Sequence, residues 1–458
     1  MPVRFRPLES KEPLLNPHKG CATFQRFNGD PLYEGTRWSE YGPTEFPARE
    51  HEGVTPGYLP STVAYCRWYW RTFEPEEGSP DFRVVEKSLE TARERGQTVQ
   101  VRLMPLGTGD AAPPKWYCDK YETPEMNNKK APYLGAVYDS REFLDNWARV
   151  ITAFGERFDG HPDLESIDVS FIGPWGEGAG ECSDENVDWM TEVYRRAHPK
   201  TPMLAMVSGR KMTAAVRAGA GWRCDCFGDL GFWRNKEHPE IESWNHHFDC
   251  YPQEVARCGA TDAWRTAPVV FESCGVPTRW LNEGFDLDLI LQQGLKFHGS
   301  VLMPKSCAIP EEYMKPLAKF CNDIGYRYVL RQLMIDTPVE AGGAGGAGGA
   351  GGAGGRVGCD LWIENVGVAP IYRRYDLALR FTQGKREHVH ASGQNILEWL
   401  PGDAIFREEA ELPPEFEAGK VEIHAGLVHP ETGEAKVRFA NDGAGADGWL
   451  ELGEIEIG

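Results

Sequence analysis

Over the first 325 residues, apolar positions follow two different periods. Runs rich in β-branched and aromatic residues, such as Ser61–Trp70 and Thr98–Leu106, are typical of buried strands. Other segments carry an apolar residue every three or four positions, as Ser140–Phe158 does, and these predict helices. Ser140 is a suitable N-cap for that helix. Its predicted buried face comprises Phe143, Trp147, Val150 and Phe154.

Eight strand candidates in this part are separated by connections, most of which contain a helix candidate. Strands joined in this way are usually parallel, and eight units predict a closed (β/α)8 barrel over residues 1–325. An open dinucleotide-binding sheet is disfavoured because no GxGxxG motif follows the first strand. The strand candidates are Cys21–Arg26, Ser61–Trp70, Thr98–Leu106, Leu164–Ile172, Met203–Ser208, Arg223–Leu230, Pro268–Glu272 and Ser300–Met303.

The pattern changes after residue 325, where short strand candidates follow one another without a long helical segment. This predicts an all-β sandwich over residues 326–458. The tract Ala341–Gly355 repeats Ala-Gly-Gly, buries nothing, and is interpreted as a flexible loop inside the sandwich. The strand candidates are Tyr326–Ile335, Gly358–Ile363, Asp376–Phe381, Asn395–Leu400, Lys420–Leu427 and Ala435–Phe439.

Composition narrows the class of protein. The net charge of −20 disfavours nucleic-acid binding, which needs a positive surface. The sequence has no apolar run long enough to span a membrane and no signal-peptide core, so we expect a cytoplasmic protein, with a secreted mature form left open. The 12 cysteines form no CxxC pair, and neither a P-loop nor HExxH occurs, so we expect no metal and no cofactor. A homodimer is left open.

Two glutamates stand where barrel chemistry is usually placed. Glu177 follows the fourth strand candidate and Glu272 ends the seventh, and the carboxyl ends of barrel strands carry catalytic groups. Two carboxyl groups on one face suit glycoside hydrolysis, in which one protonates the leaving oxygen and the other attacks the sugar or activates water. The alternative is that each forms a structural ion pair with an arginine or lysine of the barrel. Glu181, four residues after Glu177, is a competing acid.

Other residues near strand ends are candidates for substrate contact, each with a structural alternative. Arg102 would bind a carboxylate and hold the nucleophile ionised, and aromatic residues would form sugar-stacking surfaces. A metal-binding histidine pair in the segment WNHHFDCY is disfavoured, because adjacent side chains of an extended segment point in opposite directions. The predicted substrate-binding residues are Trp70, Arg102, Trp175, Asp229, His246, Tyr251 and Lys305.

Several motifs resemble those of the clan A glycoside hydrolases, and more closely a family of β-galactosidase-like barrels with a C-terminal β-domain of unassigned function. The resemblance extends over nearly the whole chain and implies a carbohydrate substrate. The matching segments are NPHKG (Asn16–Gly20), RWYWRTFEPEEG (Arg67–Gly78), RLMP (Arg102–Pro105), GPWGEG (Gly173–Gly178), ENVGVAPIYRRY (Glu364–Tyr375) and DGWLELG (Asp447–Gly453).

This resemblance implies a retaining mechanism on a β-linked glycoside, with Glu177 as acid/base and Glu272 as nucleophile. One position departs from the family pattern: many clan A enzymes have asparagine directly before the acid/base, and this chain has Gly176. Two rival functions stay open, the first of them because of this departure. One is a non-catalytic carbohydrate-binding barrel, and the other is a sugar lyase that uses Glu272 as a base.

Overall fold

The protein comprises two compact units. The computed structural model describes residues 2–127, 131–232, 237, 243–337 and 355–458. One unit spans His18–Ile324, and the other joins the residues before His18 to those from Gly325 onwards. The expected barrel boundary at residue 1 therefore differs from the observed division, because a short first strand, β1 (Val3–Phe5), belongs to the C-terminal unit.

The unit His18–Ile324 is a closed barrel of eight parallel strands, as the sequence predicts. The strands follow one another around the barrel in chain order, and a short hairpin, β5 and β6, lies outside it. Most positions of these strands are buried, which is typical of parallel strands covered on both faces. The eight barrel strands are β2 (Gly20–Phe24), β3 (Ser61–Tyr69), β4 (Thr98–Met104), β7 (Leu164–Val169), β8 (Met203–Met206), β9 (Gly221–Phe227), β10 (Val269–Ser273) and β11 (Val301–Met303), and the hairpin strands are β5 (Glu125–Met126) and β6 (Tyr133–Leu134).

Helices cover the barrel, and the longest of them confirms the predicted capping. The Ser140 side chain accepts a hydrogen bond from the backbone N–H of Phe143 at 3.2 Å and so begins that helix. All four residues of its predicted stripe are fully buried. Among the described residues, no helix is long and apolar enough to cross a membrane. The helices are α1 (Trp70–Phe73), α2 (Arg83–Glu94), α3 (Lys115–Lys120), α4 (Arg141–Phe158), α5 (Asp184–Ala197), α6 (Gly209–Arg217), α7 (His246–Asp249), α8 (Tyr251–Arg257), α9 (Pro277–Asn282), α10 (Leu287–Lys296) and α11 (Glu311–Asp323).

The C-terminal unit contains two four-stranded antiparallel sheets, as expected for a sandwich. Their strand orders are β1-β12-β13-β16 and β15-β14-β17-β18. Inward-facing residues of both sheets form one apolar core. The strands are β12 (Tyr328–Ile335), β13 (Gly355–Asn365), β14 (Asp376–Gln383), β15 (Arg386–Ala391), β16 (Gly402–Leu412), β17 (Gly419–Val428) and β18 (Leu450–Ile457).

Two strand predictions in this unit were wrong. Asn395–Leu400 contains a short 3-10 helix, Ile396–Glu398, that begins with the Asn395 side chain accepting from the Leu397 N–H. Ala435–Phe439 forms only one isolated bridge, between Val437 and Leu427. Both segments contain buried apolar residues, and burial without alternation does not distinguish a strand from a packed loop. Of the predicted Ala/Gly loop, residues 341–354 lie outside the described residues, and Gly355 begins β13.

Candidate active site

Glu272 lies within β10 at the carboxyl end of the barrel, and two cations contact it. The Lys305 ammonium forms an ion pair with Oε1, and Arg223 Nη2 lies 3.2 Å from Oε2. All three side chains are buried, with Glu272 3 % exposed. Positive charges at this distance favour the ionised form of a carboxyl group. Glu272 thus lies at the end of its strand with Lys305 at one carboxyl oxygen and Arg223 at the other.

Glu177 is carried by a tight turn that follows β7. Gly173 and Gly176 have φ values of 77° and 72°, in the left-handed region that favours glycine. A Cβ atom on Gly176 would lie 2.4 Å from the Cβ of Ser170, so no side chain fits at this position without movement of the strand end. The Lys211 ammonium donates to the Gly176 carbonyl and fixes the turn directly before Glu177.

The environment of Glu177 favours its protonated form. Its Oε1 lies 3.2 Å from Arg102 Nη1, yet burial and the neighbouring Asp225 carboxylate raise the pKa of Glu177 above its ordinary value. Part of the side chain, 29 %, is still exposed, so a substrate atom has access to it. Two carboxyl groups with opposite protonation preferences are the arrangement that separates an acid from a nucleophile.

One guanidinium group, that of Arg67, lies near both carboxyl groups. Arg67 Nη1 lies 4.0 Å from Glu177 Oε1 and also 4.0 Å from Glu272 Oε2. The two oxygens can therefore be no more than twice that distance apart. Arg67 is 2 % exposed, and its Nε and Nη1 atoms make no hydrogen bond within the protein. Its donors are thus available between the two glutamates.

A network of arginines and aspartates lies directly beneath this pair. Arg102 Nε contacts Asp168 Oδ2 at 2.6 Å and its Nη2 contacts Asp225 Oδ2 at 3.2 Å. Arg223 contacts the same two aspartates, at 3.2 Å and 2.9 Å. Buried charges paired in this way hold each other in fixed positions. The sequence-based prediction included Arg102 but did not include Asp168, Arg223 or Asp225.

Several residues around the two glutamates occupy alternate positions of their strands. Tyr65 and Arg67 on β3, and Arg223 and Asp225 on β9, are two residues apart, so each pair faces the same side of its strand. Charged residues at such spacing inside an otherwise apolar strand point into the barrel. This spacing is the feature of the sequence that would have identified them.

The predicted residues Asp229, His246 and Tyr251 form a separate cluster at the end of β9. Asp229 accepts hydrogen bonds from the backbone N–H groups of Gly231 and Phe232 and from His246 Nδ1, the last at 2.7 Å. Burial lowers the pKa of His246, but its interactions with Asp229 and Cys226 together outweigh this and raise the pKa to about 9. Tyr251 is 2 % exposed and its hydroxyl accepts from the Cys226 N–H. The oxygens of Asp229 are thus occupied by the protein, and the cluster anchors a loop.

Trp70 is not placed where a sugar could stack on it. It is fully buried, and its ring packs edge-on against Trp116 and Trp147 of the surrounding helices. Its Nε1 donates to the Glu74 carboxylate at 2.5 Å. The predicted stacking role of Trp70 was therefore wrong, because α1 begins at this residue and turns its side chain away from the barrel interior. Trp175 lies directly before Gly176 in the turn that carries Glu177, and it donates from Nε1 to the Tyr69 hydroxyl at 3.0 Å.

Trp70→Ala is expected to destabilise the barrel by about 3–5 kcal/mol, because it removes a large buried side chain and leaves a cavity. Urea denaturation measures this change. Trp244→Ala is the matched control in the same unit, since Trp244 is 55 % exposed, and it should change the free energy of unfolding by less than about 1 kcal/mol. Equal effects of the two variants would contradict a core position for Trp70.

No metal-binding cluster is found in the part of the chain that the structure describes: no group of three or more histidine, cysteine, aspartate or glutamate side chains is arranged to hold an ion. The twelve cysteines are free thiols.

Comparison with protein families finds a match within the barrel. Residues 60–171, which include β3, β4 and β7, match the sequence profile of the β-galactosidases of glycoside hydrolase family 42. The match covers about a quarter of the chain, and together with the closed parallel barrel it supports a glycoside hydrolase. A comparison with curated protein sequences finds no match.

The solved structures to which the chain is similar include three glycoside hydrolases. A glycoside hydrolase is 13 % identical, with a TM-score of 0.37, and the match covers 67 % of this chain and 99 % of that one. A β-galactosidase from Marinomonas ef1 is 10 % identical, with a TM-score of 0.36, and 57 % and 54 % are covered. The endo-glycoceramidase II from a Rhodococcus species is 12 % identical, with a TM-score of 0.37, and 77 % and 89 % are covered. These scores are low, and the fold assignment depends on the strand order of the barrel itself.

Proposed function

We propose that the protein is a retaining glycosidase that acts on a β-linked glycoside, with Glu177 as acid/base and Glu272 as nucleophile. The observation that supports this most directly is the position of Arg67, whose Nη1 lies 4.0 Å from both carboxyl groups. That geometry limits the distance between the two oxygens to twice 4.0 Å, a limit that includes the separation of about 5–5.5 Å expected for a retaining pair.

The two steps follow from the different environments of the carboxyl groups. In the first step a Glu272 oxygen attacks the anomeric carbon, the bond to the leaving oxygen breaks, and Glu177 transfers its proton to that oxygen. Arg223 and Lys305 stabilise the attacking anion until the sugar bond forms. In the second step Glu177, now a carboxylate, takes a proton from water, which attacks the same carbon and releases Glu272.

Arg102 and Lys305, both predicted as substrate-binding, act in this proposal mainly on the carboxyl groups. Arg102 holds Glu177 and Lys305 holds Glu272. Contact with sugar hydroxyl groups is assigned to the Nε and Nη1 donors of Arg67.

The test is the configuration of the first product. The protein is incubated with a set of aryl β-glycosides, and the anomer that appears first is identified by proton NMR. Retention of the β-configuration is expected. If the α-anomer appears first, the enzyme inverts the configuration and the proposed retaining mechanism is wrong. An unsaturated sugar would indicate a lyase. Binding of the glycosides without any turnover would favour the non-catalytic carbohydrate-binding protein.

A further inference from the structure

Asp225 is a third carboxyl group at the same point of the barrel. It lies on β9, close enough to Glu177 for its negative charge to raise the pKa of the Glu177 carboxyl group. Both groups also contact Arg102, with Glu177 Oε1 3.2 Å from Nη1 and Asp225 Oδ2 3.2 Å from Nη2. One guanidinium thus holds the two carboxyl groups side by side.

The two carboxyl groups are not held equally. Asp225 has two close arginine contacts, since its Oδ1 lies 2.9 Å from Arg223 Nε in addition to the Arg102 contact. Glu177 has one close contact and the more distant Arg67. Two carboxyl groups held side by side on one guanidinium are not both ionised easily, because like charges at short range repel each other. The stronger arginine contacts of Asp225 favour its ionised form and leave the proton on Glu177.

We propose that Asp225 is a positioning residue whose ionised carboxylate keeps Glu177 protonated in the free enzyme. This inference depends on the proposed acid/base role of Glu177 and extends it to both steps. Once Glu177 has given its proton to the leaving oxygen, two carboxylates lie side by side. The repulsion between them raises the proton affinity of Glu177, which makes it a stronger base. The proton that Glu177 then takes from water restores a protonated Glu177 beside an ionised Asp225.

Other charged groups around Glu177 act in both directions. Arginines and Lys211 favour the ionised form, and the carboxylates of the network oppose it, with Asp225 the nearest of them. The charged groups that face this region are Arg67 on β3, Arg102 on β4, Asp168 on β7, Lys211 on α6, Arg223 and Asp225 on β9, Glu272 on β10 and Lys305 after β11.

The first test is the pH dependence of kcat/KM for Asp225→Asn. The alkaline limb, where Glu177 loses its proton, should move to lower pH by about one unit or more, because the negative neighbour is gone. Asp225→Glu keeps the charge and should keep the limb near its original pH. Asp229→Asn is the matched control, since Asp229 also lies near the end of β9 but bonds to His246, and it should leave the limb in place.

Loss of activity in Asp225→Asn with an unmoved alkaline limb would overturn the proposal, because it would show only a structural role. A limb that moves equally in Asp229→Asn would also overturn it. Thermal denaturation of each variant shows that the measured protein is folded.

A second measurement needs no substrate. Carbon-13 NMR of glutamate-labelled protein follows the carboxyl resonance of Glu177, which Glu177→Gln identifies by its loss. In the wild type this carboxyl should titrate above the ordinary glutamate range, and in Asp225→Asn it should titrate at lower pH. An unchanged titration would refute the pairing. The expected shift in a protein that hydrolyses no glycoside would confirm the pairing and refute the proposed function, so the two failures are distinguishable.

Discussion

Glu272→Gln is expected to lower kcat/KM for any competent glycoside on the order of 10⁴-fold or more, because the amide cannot form the glycosyl intermediate. Glutamine keeps the shape of the side chain, although Lys305 and Arg223 lose a negative partner. Steady-state kinetics on an aryl β-glycoside measures the loss. Glu272→Ala with added azide should restore turnover and give a glycosyl azide of inverted configuration, since the anion enters the space that the carboxylate vacated.

Glu165→Gln is the matched control for this prediction. Glu165 is also a buried barrel glutamate, but it lies near the start of β7, where it contacts His18 Nδ1 at 2.6 Å and Thr98 Oγ1 at 2.7 Å. The amino ends of barrel strands support stability and do not carry the chemistry. Loss of the Glu165 carboxylate should lower the free energy of unfolding and leave kcat nearly unchanged. Near-normal turnover of Glu272→Gln would reject the assignment of the nucleophile.

Glu177→Ala is expected to give a loss that depends on the leaving group. Glycosides with poor leaving groups should lose about 10²–10⁴-fold in kcat/KM, because they need a proton in the transition state. Dinitrophenyl glycosides, which leave without a proton, should lose little in the first step and accumulate the glycosyl-enzyme. Pre-steady-state kinetics on the two kinds of substrate measures the difference.

Glu181→Ala is the control for the acid. Glu181 was the competing candidate, and it is exposed to solvent four residues further along the turn. Its removal should leave both classes of substrate unaffected. A uniform loss in Glu177→Ala, the same for good and poor leaving groups, would contradict general acid catalysis by Glu177.

The barrel could be predicted from the sequence because its strands and helices have clear and different periods. The positions of Glu177 and Glu272 followed from the same pattern, since the ends of parallel strands meet at one face. The network of Arg67, Arg223 and Asp225 did not follow from it. Their pairing depends on which strands become neighbours when the barrel closes, and a single sequence does not give these distances.

Trp70 illustrates a second property that the sequence alone does not predict, the direction of a side chain at the end of a strand. A residue at the end of a strand points into the barrel or away from it according to where the following turn begins. Here α1 begins at Trp70 itself, and the side chain joins the packing between helices. Likewise, Asp229 is at a strand end where a carboxylate could bind sugar hydroxyl groups, but nearby backbone N–H groups and His246 already occupy its oxygens.

The crowding at Gly176 limits how this site can evolve. Asparagine, which many clan A enzymes have at this position, would place its Cβ against Ser170 and would require a left-handed backbone conformation. A single substitution there is therefore expected to be lost from a population before any gain in sugar binding appears. Substitution of Ser170 and changes in the turn would have to precede the replacement of Gly176 by asparagine. The present turn is therefore separated by an epistatic barrier from the turn with asparagine before the acid/base.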